Sequence, residues 1–132
     1  MLPLYVQYYQ TGTYNPTPDW KTISETPNTA IIAADRAHGI IIGHYAMTSA
    51  INKARKHDIG IVNIVNSGHM GAIGYFPMMA AKENMIGICA IAAGNGILPT
   101  FAAEPRLGTN PIAFAAPSGR EAPFLFDAAT SA

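Results

Sequence analysis

Residues 59–77 read IGIVNIVNSGHMGAIGYFP, and this stretch decides the fold class. The apolar run Ile59–Val65 predicts a strand that is buried on both faces. Three glycines, each three residues from the next, predict a turn directly after that strand. Pro77 is tolerated in the first turn of a helix but not in its middle, so the following helix should begin near Gly74. A strand, a glycine turn and a helix in succession indicate an α/β protein.

The sequence on either side of this stretch supplies the other elements. Apolar residues recur at helical spacing in HYAMTSAINKARKH (44–57), which predicts a helix that ends at Asp58. The remaining elements are expected to be a short aromatic helix close to Met1, a strand at Thr29–Ala33, and strands within Met85–Ala92, residues 107–117 and residues 122–132. Together they predict a single α/β domain over residues 1–132, with a mixed sheet and flanking helices.

The composition narrows the classes of function. Eight basic and eight acidic residues balance one another, so no charged surface points to nucleic acid or to an anionic membrane. Charged residues make up 12% of the chain, about half of the roughly 25% that is usual. This predicts either a buried piece of a larger protein or assembly with copies of itself. No apolar run is long enough to span a bilayer and no signal peptide is evident, so a cytoplasmic location is expected.

Neither a disulfide nor a metal site is expected. Cys89 is the only cysteine, which excludes an internal disulfide and a thiolate zinc site. The four histidines include no pair at positions i and i+4, so a zinc site is not indicated. His38 falls in a predicted turn, His44 at a predicted helix start, and His57 in the last turn of that helix, where a cation is favoured.

The glycine turn, residues 68–74 with Gly68, Gly71 and Gly74, leaves two interpretations open. Its spacing is not the G-x-G-x-x-G fingerprint of a Rossmann dinucleotide site. Glycines between a strand and a helix can leave bare N–H groups that bind a phosphate or carboxylate, although a purely structural turn is the commoner use. His69 lies inside this turn, where an imidazole that titrates near neutrality could deliver a proton to a ligand. A structural histidine is the alternative.

Asp127 is the second candidate for a functional role. It follows the apolar stretch PFLF (123–126). A carboxylate in this position commonly caps a following turn, but it can also hold a ribose hydroxyl or orient a ligand. The residues by themselves leave these roles open.

Several stretches together resemble one family, the type-2 malate/L-lactate dehydrogenases, which include ureidoglycolate dehydrogenase and the reductases of cyclic imino acids. The matching pieces are AMTSAINKARKHDIGIVNIVNSGHMGAIGYF, MIGI, LGTNPIAFAAP and FDAATS, together with LPLYVQYYQTG and ETPNTAIIAAD. The most specific are LGTNPIAFAAP and the H-x-G-A-x-x-Y-F turn. The resemblance covers nearly the whole chain, in order and at compatible spacing.

This resemblance implies a non-Rossmann NAD(P)-binding fold, a homodimer, and hydride transfer between NAD or NADP and a small 2-hydroxy or 2-oxo acid such as malate or lactate. It implies that His69 is the catalytic proton donor and acceptor. The residues that it places at the cofactor are Gly71, Ala72, Asp127, Ala128 and Ala129, with Thr109 and Asn110 in a shaping or cofactor role. The alternative is a non-catalytic small α/β module that binds an anionic metabolite or a partner chain through the glycine turn.

The sequence departs from the family pattern at three places. Family members carry a Ser-His-Gly string and a substrate-binding arginine ahead of the tyrosine-rich segment, where this chain begins at Met1. They continue for roughly as many residues again beyond the point that matches Ala132. They usually have Ser or Thr at a cofactor contact that is Ala93 here. These departures predict a chain that is truncated at both ends and inactive, or nearly so, on its own.

Overall fold

The structure is a computed structural model that describes residues 1–131. The chain divides into two compact units, Met1–Gly71 and Ala72–Ala132. The first contains α1 (Leu2–Gln10), β1 (Lys21–Glu25), β2 (Thr29–Ala33), α2 (Gly39–His57) and β3 (Ile61–Val65), and the second contains α3 (Tyr75–Lys82), β4 (Gly87–Ala90), β5 (Ile112–Ala116) and β6 (Phe124–Ala128). The predicted α/β class is confirmed. The single domain over residues 1–132 stays a prediction.

The strands form two three-stranded sheets rather than one sheet. In the first unit β2 pairs antiparallel with β1 and parallel with β3, so this sheet is mixed as predicted. In the second unit β4, β5 and β6 are antiparallel throughout. The second sheet differs because no helix connects its successive strands, whereas neighbouring parallel strands need a crossover connection that is usually helical.

The first unit is a strand–helix–strand motif in which α2 joins the parallel strands β2 and β3 and packs against both. The core consists of Ile32, Ala34, Ala37, Ile42 and Ala46, with Trp20, Val62 and Ile64 packed around it. α2 begins at Gly39, earlier than the periodic stretch 44–57 suggested, because the His38 side chain caps it by accepting a hydrogen bond from the N–H of Ile40. His38 is thereby fixed at the N-terminus of α2.

β3 is not buried on both faces, so this part of the sequence prediction is wrong. Val62 and Ile64 pack against the core, whereas Ile61 and Val65 are 53% and 45% exposed. β3 is an edge strand of its sheet, and within residues 1–131 only its face toward α2 is covered. An apolar run alone does not report how many faces of a strand are covered.

In the second unit α3 covers one face of the antiparallel sheet. The helix begins directly after Gly74, as predicted, and packs against β4 and β5. Ala113 and Ala115 of β5 are fully buried. By the alternation of side chains along a strand, the residues on the other face are all apolar: Ile88, Ala90, Ile112, Phe114, Ala116, Phe124, Phe126 and Ala128. This concentration of apolar side chains contributes to the low charge of the sequence.

Candidate active site

His69 lies in the segment that follows β3, next to the segment that follows β2. The two segments run side by side, since the N–H of Gly68 donates to the carbonyl oxygen of Ala37 at 2.8 Å. They also approach closely, because a Cβ atom added at Gly39 would collide with the main-chain oxygen of Gly68. The backbone at His69 is thereby held against the N-terminus of α2, while the side chain is exposed.

Three hydrogen bonds fix His69. Its main-chain N–H donates to the hydroxyl oxygen of Tyr14 at 2.8 Å. The hydroxyl of Tyr5 lies 2.7 Å from Nδ1 of the imidazole, and the N–H of Gly71 donates to the same Nδ1 at 3.2 Å. Both contacts of the ring are at Nδ1, so Nε2 is the ring nitrogen available to a ligand.

A second histidine, His38, lies among the same tyrosines. Its ring is 4.5 Å from that of Tyr5 and 5.2 Å from that of Tyr14, edge-on in both cases. Burial lowers the pKa of His38 below its ordinary value, and the neighbouring His69 lowers it further. His38 is therefore kept as a neutral imidazole at neutral pH. It packs against the two tyrosines that hold His69 and places no positive charge beside that ring.

Sequence reasoning missed His38 and the tyrosines, which it left without a role. A signal was present, because Tyr5 and Tyr9 are four residues apart in a helix and so share one of its faces. Both rings approach His38 in the structure. His44 lies inside α2 rather than at its start, because the helix begins earlier than expected, and His57 is in its last turn as predicted.

Most of the main-chain N–H groups of the glycine turn are engaged within the protein rather than open to an anion. Four main-chain N–H groups donate to acceptors within the protein, namely those of Gly68, His69, Gly71 and Gly74. The interpretation of the turn as an anion cradle is therefore wrong for these four groups. Residue spacing could not reveal this, because two of the acceptors, Tyr14 and Asp127, lie 55 and 53 residues away along the chain.

Asp127 serves as a cap in the second unit. Its Oδ2 accepts a hydrogen bond from the N–H of Gly74 at 2.7 Å, and Gly74 is the N-cap residue of α3. The negative charge lies at the positive end of the helix dipole, where it is stabilising. Of the roles left open by the sequence, capping is the one observed, although the capped segment is α3 rather than the turn after β6. Asp127 is exposed, so its other oxygen stays accessible.

The loop that contains Thr109 and Asn110 holds two other segments of the second unit in place. The side-chain oxygen of Asn110 accepts a hydrogen bond from the N–H of Ala93 at 3.0 Å. The main-chain oxygen of Thr109 accepts from the N–H of Thr130 at 3.0 Å, and that of Asn110 accepts from Oγ1 of Thr130 at 2.8 Å. These contacts give the loop a shaping role.

The other predicted cofactor residues are alanines. Ala128 is the last residue of β6, and Ala72 and Ala129 are exposed. With a side chain of one methyl group, an alanine offers a cofactor only its main-chain groups and a close approach. Of the predicted residues, the structure joins His69 to Gly71 directly, within the first unit.

Cys89 is not suited to nucleophilic chemistry. Burial, with a further contribution from the negative charge of Asp127, raises the pKa of the Cys89 thiol to about 11. The thiol therefore stays protonated at neutral pH, and a protonated thiol is a poor nucleophile. Residues 1–131 contain no group of three or more His, Cys, Asp or Glu side chains that could hold a metal ion. Proton transfer at His69 is the chemistry that this arrangement supports.

Comparison with known proteins places this arrangement in a family. The family model described as malate/L-lactate dehydrogenase matches residues 1–132. The chain belongs to the malate/L-lactate dehydrogenase family. The resemblance drawn from LGTNPIAFAAP and the H-x-G-A-x-x-Y-F turn is thereby confirmed, and the named members of the malate/L-lactate dehydrogenase family that it matches are oxidoreductases.

Individual members of the malate/L-lactate dehydrogenase family match almost all of the chain. A malate dehydrogenase of Pyrococcus abyssi is 46% identical over 130 residues, which are 98% of this chain and 36% of that relative. A ureidoglycolate dehydrogenase (NAD(+)) of Escherichia coli is 36% identical over 130 residues, which are 96% of this chain and 37% of that relative. The structure of malate dehydrogenase from Pyrococcus horikoshii matches with a TM-score of 0.93 at 43% identity, covering 98% of this chain and 37% of that one. The chain thus spans little more than a third of the length of these relatives.

Proposed function

We propose that this chain supplies part of an oxidoreductase that transfers a hydride between NAD or NADP and a small 2-hydroxy or 2-oxo acid such as malate or lactate. The observation that carries the proposal is the state of His69, whose ring is exposed, held at Nδ1 and open at Nε2. Relatives named malate dehydrogenase and ureidoglycolate dehydrogenase (NAD(+)) support it. Malate and ureidoglycolate are both 2-hydroxy acids.

The chemistry divides between cofactor and protein. NAD(P)H supplies the hydride when it is bound. His69 handles the proton, which Nε2 gives to the substrate oxygen during reduction and recovers during oxidation. Proton transfer by a positioned side chain contributes roughly 10²–10⁴ in rate. Tyr5 and Gly71 keep the ring in position, because both contact Nδ1 and leave Nε2 free.

The second unit offers side-chain acceptors that fit the ribose of a dinucleotide. Asp127 uses Oδ2 for Gly74, which leaves Oδ1 to accept a ribose hydroxyl. Thr109 adds an exposed hydroxyl. The N–H groups of Gly68, His69, Gly71 and Gly74 are already occupied and do not contribute to a phosphate site. The residues proposed as cofactor contacts are Asp127, Ala128, Ala129, Thr109 and Asn110, with Gly71 and Ala72 contributing by close backbone approach.

A cytoplasmic homodimer is proposed as the working form of the whole protein. The balance of eight basic and eight acidic residues supports neither nucleic acid nor an anionic membrane as a partner. Within residues 1–131, none of the helices has the length and apolar character to cross a membrane. Light scattering after gel filtration tests the dimer, and the mass of one chain would contradict it.

The test of the reaction is a chimera in which residues 1–132 replace the matching segment of the Pyrococcus abyssi malate dehydrogenase. We expect the chimera to reduce oxaloacetate, followed by the loss of NAD(P)H absorbance. His69→Gln should lower kcat by about 10²–10⁴ with little change in KM, because the amide is similar in size but cannot transfer the proton. His57→Gln, at the exposed end of α2, is the control and should leave kcat unchanged. Full activity in His69→Gln would contradict the assignment.

The isolated chain separates this proposal from a non-catalytic module that binds an anionic metabolite or a partner chain. We expect the chain alone to be inactive, or nearly so, with 2-oxo acids. Titration with NADH and NADPH, read by nicotinamide fluorescence, should nevertheless show binding of at least one of them. If the chain binds neither NADH nor NADPH, the result supports the non-catalytic binding module instead. The N–H groups of Gly68 and Gly71 are occupied, so these two glycines do not supply donors for an anion.

A further inference from the structure

We infer that Tyr5 and His69 form a two-step proton relay, in which the Tyr5 hydroxyl donates to Nδ1 of His69 while Nε2–H faces the substrate. The inference rests on the proposed role of His69 as proton donor and acceptor. It adds Tyr5 as the residue that positions the ring and resupplies its proton. It also assigns the neutral imidazole of His69 to the tautomer that carries its proton on Nε2.

The N–H of Gly71 decides the direction of these hydrogen bonds. A hydroxyl can donate or accept, and so can a ring nitrogen, but a main-chain N–H can only donate. Gly71 directs its N–H at Nδ1 of His69 from 3.2 Å, so Nδ1 carries a lone pair. Tyr5, 2.7 Å from the same nitrogen, is then also a donor. In the neutral imidazole the proton is therefore on Nε2.

The surroundings of Tyr5 hold its hydroxyl in place. Its ring stands edge-on to that of His38 at 4.5 Å and lies 6.4 Å from that of Tyr14. His38 is itself fixed, because its Nδ1 accepts a hydrogen bond from the N–H of Ile40. The hydroxyl of Tyr5 is thus held by packing against His38 and Tyr14, beside the ring of His69.

The relay lets a neutral imidazole act as an acid. When the hydride reaches the 2-oxo carbon, the N–H bond at Nε2 breaks and an O–H bond forms on the substrate oxygen. The O–H bond of Tyr5 breaks at the same time and an N–H bond forms at Nδ1, so the ring stays neutral. Tyr5 is left as a phenolate, which regains a proton from water because its side chain is only half-buried. The sum is a 2-oxo acid, NAD(P)H and one solvent proton giving a 2-hydroxy acid and NAD(P)⁺.

The tautomer of His69 tests the inference in the chain itself and without catalysis. ¹⁵N NMR at alkaline pH, where an imidazole is neutral, distinguishes a ring nitrogen that carries a proton from one that carries a lone pair. We expect Nε2 to be protonated and Nδ1 to be a hydrogen-bonded lone-pair nitrogen. A protonated Nδ1 would overturn the inference, because Tyr5 would then be the acceptor.

Tyr5→Phe removes the hydroxyl and keeps the ring that packs on His38. We expect the Nδ1 resonance to move downfield, toward that of a lone-pair nitrogen without a partner, because only the N–H of Gly71 remains. Tyr9→Phe is the matched control: Tyr9 is one turn further along α1 and its ring also approaches His38, so Nδ1 should not move. An unmoved Nδ1 in Tyr5→Phe, with the His38 signals of the wild type, would refute the relay. Cofactor binding plays no part in this measurement, so a failure of the proposed function is a separate result.

Discussion

The two units hold their candidate side chains in opposite ways. In the first, hydrogen bonds hold His69 at its main-chain N–H and at Nδ1 of its ring, and the Nε2 edge of the ring is free of such contacts. In the second, Asp127 uses one carboxylate oxygen to cap α3, and its other oxygen stays accessible. Both residues come after an apolar run in the sequence, Ile59–Val65 for His69 and residues 123–126 for Asp127. The same local signal therefore yields a side chain whose ring is exposed in one unit and a helix cap in the other.

The first test of this comparison removes the hydrogen bond that the main-chain N–H of His69 donates to the hydroxyl of Tyr14. Tyr14 is 4% exposed, so in Tyr14→Phe the N–H of His69 loses its acceptor where water does not easily replace it. We expect the free energy of unfolding to fall by about 2 kcal/mol, measured by urea denaturation. Tyr8→Phe, whose ring packs against Tyr14, is the control and should cost less. Equal losses in the two variants would show that this hydrogen bond contributes nothing specific.

Asp127→Ala makes the equivalent change in the second unit, with a smaller expected effect. The N–H of Gly74 loses its acceptor, but Asp127 is exposed and water replaces part of the interaction. We expect a loss of about 1 kcal/mol, typical of a helix N-cap, again by urea denaturation. Asp127→Asn keeps an acceptor and should retain most of the stability. Should the alanine variant be as stable as the asparagine variant, the carboxylate serves a ligand and not the helix.

A residue in the left-handed conformation follows α2 in one unit and α3 in the other, which allows a third matched test. Asp58 directly follows α2 with φ of 69°, and Asn84 lies two residues beyond the end of α3 with φ of 59°. Glycine adopts this region without the steric cost that a side chain brings, and a negative charge opposes the dipole at a helix C-terminus. Asp58→Gly should raise the free energy of unfolding by about 0.5–1 kcal/mol. Asn84→Gly should raise it less, since asparagine tolerates this region, and the opposite order in thermal unfolding would contradict this account.

The smallest expected effect is a dependence of stability on pH through His38. Because burial and His69 lower its pKa below 6.5 in the folded chain, the unfolded chain binds a proton there that the folded chain does not. The free energy of unfolding should therefore fall as the pH is lowered below 6.5. His38→Asn keeps a side-chain acceptor for the N–H of Ile40 and should reduce this dependence. Urea denaturation at a series of pH values measures it, and an unchanged dependence in the variant would count against the burial of a neutral His38.

The local elements were predictable because single proline and glycine residues mark several of their boundaries. Pro27 separates two strands, and Thr29–Ala33 is a strand with the expected bounds. Pro77 requires a nearby helix start, and α3 begins directly after Gly74. Such signals act through the conformational limits of proline and glycine, so they do not depend on the rest of the chain.

The contacts that make the site were not predictable in the same way. The acceptors for the N–H groups of His69 and Gly74 are supplied by Tyr14 and Asp127, which are distant in sequence. Without those partners the turn looked like a source of free N–H groups. The prediction that β3 is buried on both faces failed for a related reason, because the composition of a strand does not show which elements pack against it.

The close approach between Gly39 and Gly68 sets a limit on how this sequence can vary. Even the methyl group of alanine at position 39 would overlap the backbone of the neighbouring segment, whereas a Cβ added at Gly94 meets nothing within 4 Å. One glycine is therefore irreplaceable in this fold and the other is open to many side chains. The substitutions tolerated at a position depend on the free space around its Cα atom. Both positions are glycine in the sequence, so the residue type alone does not distinguish them.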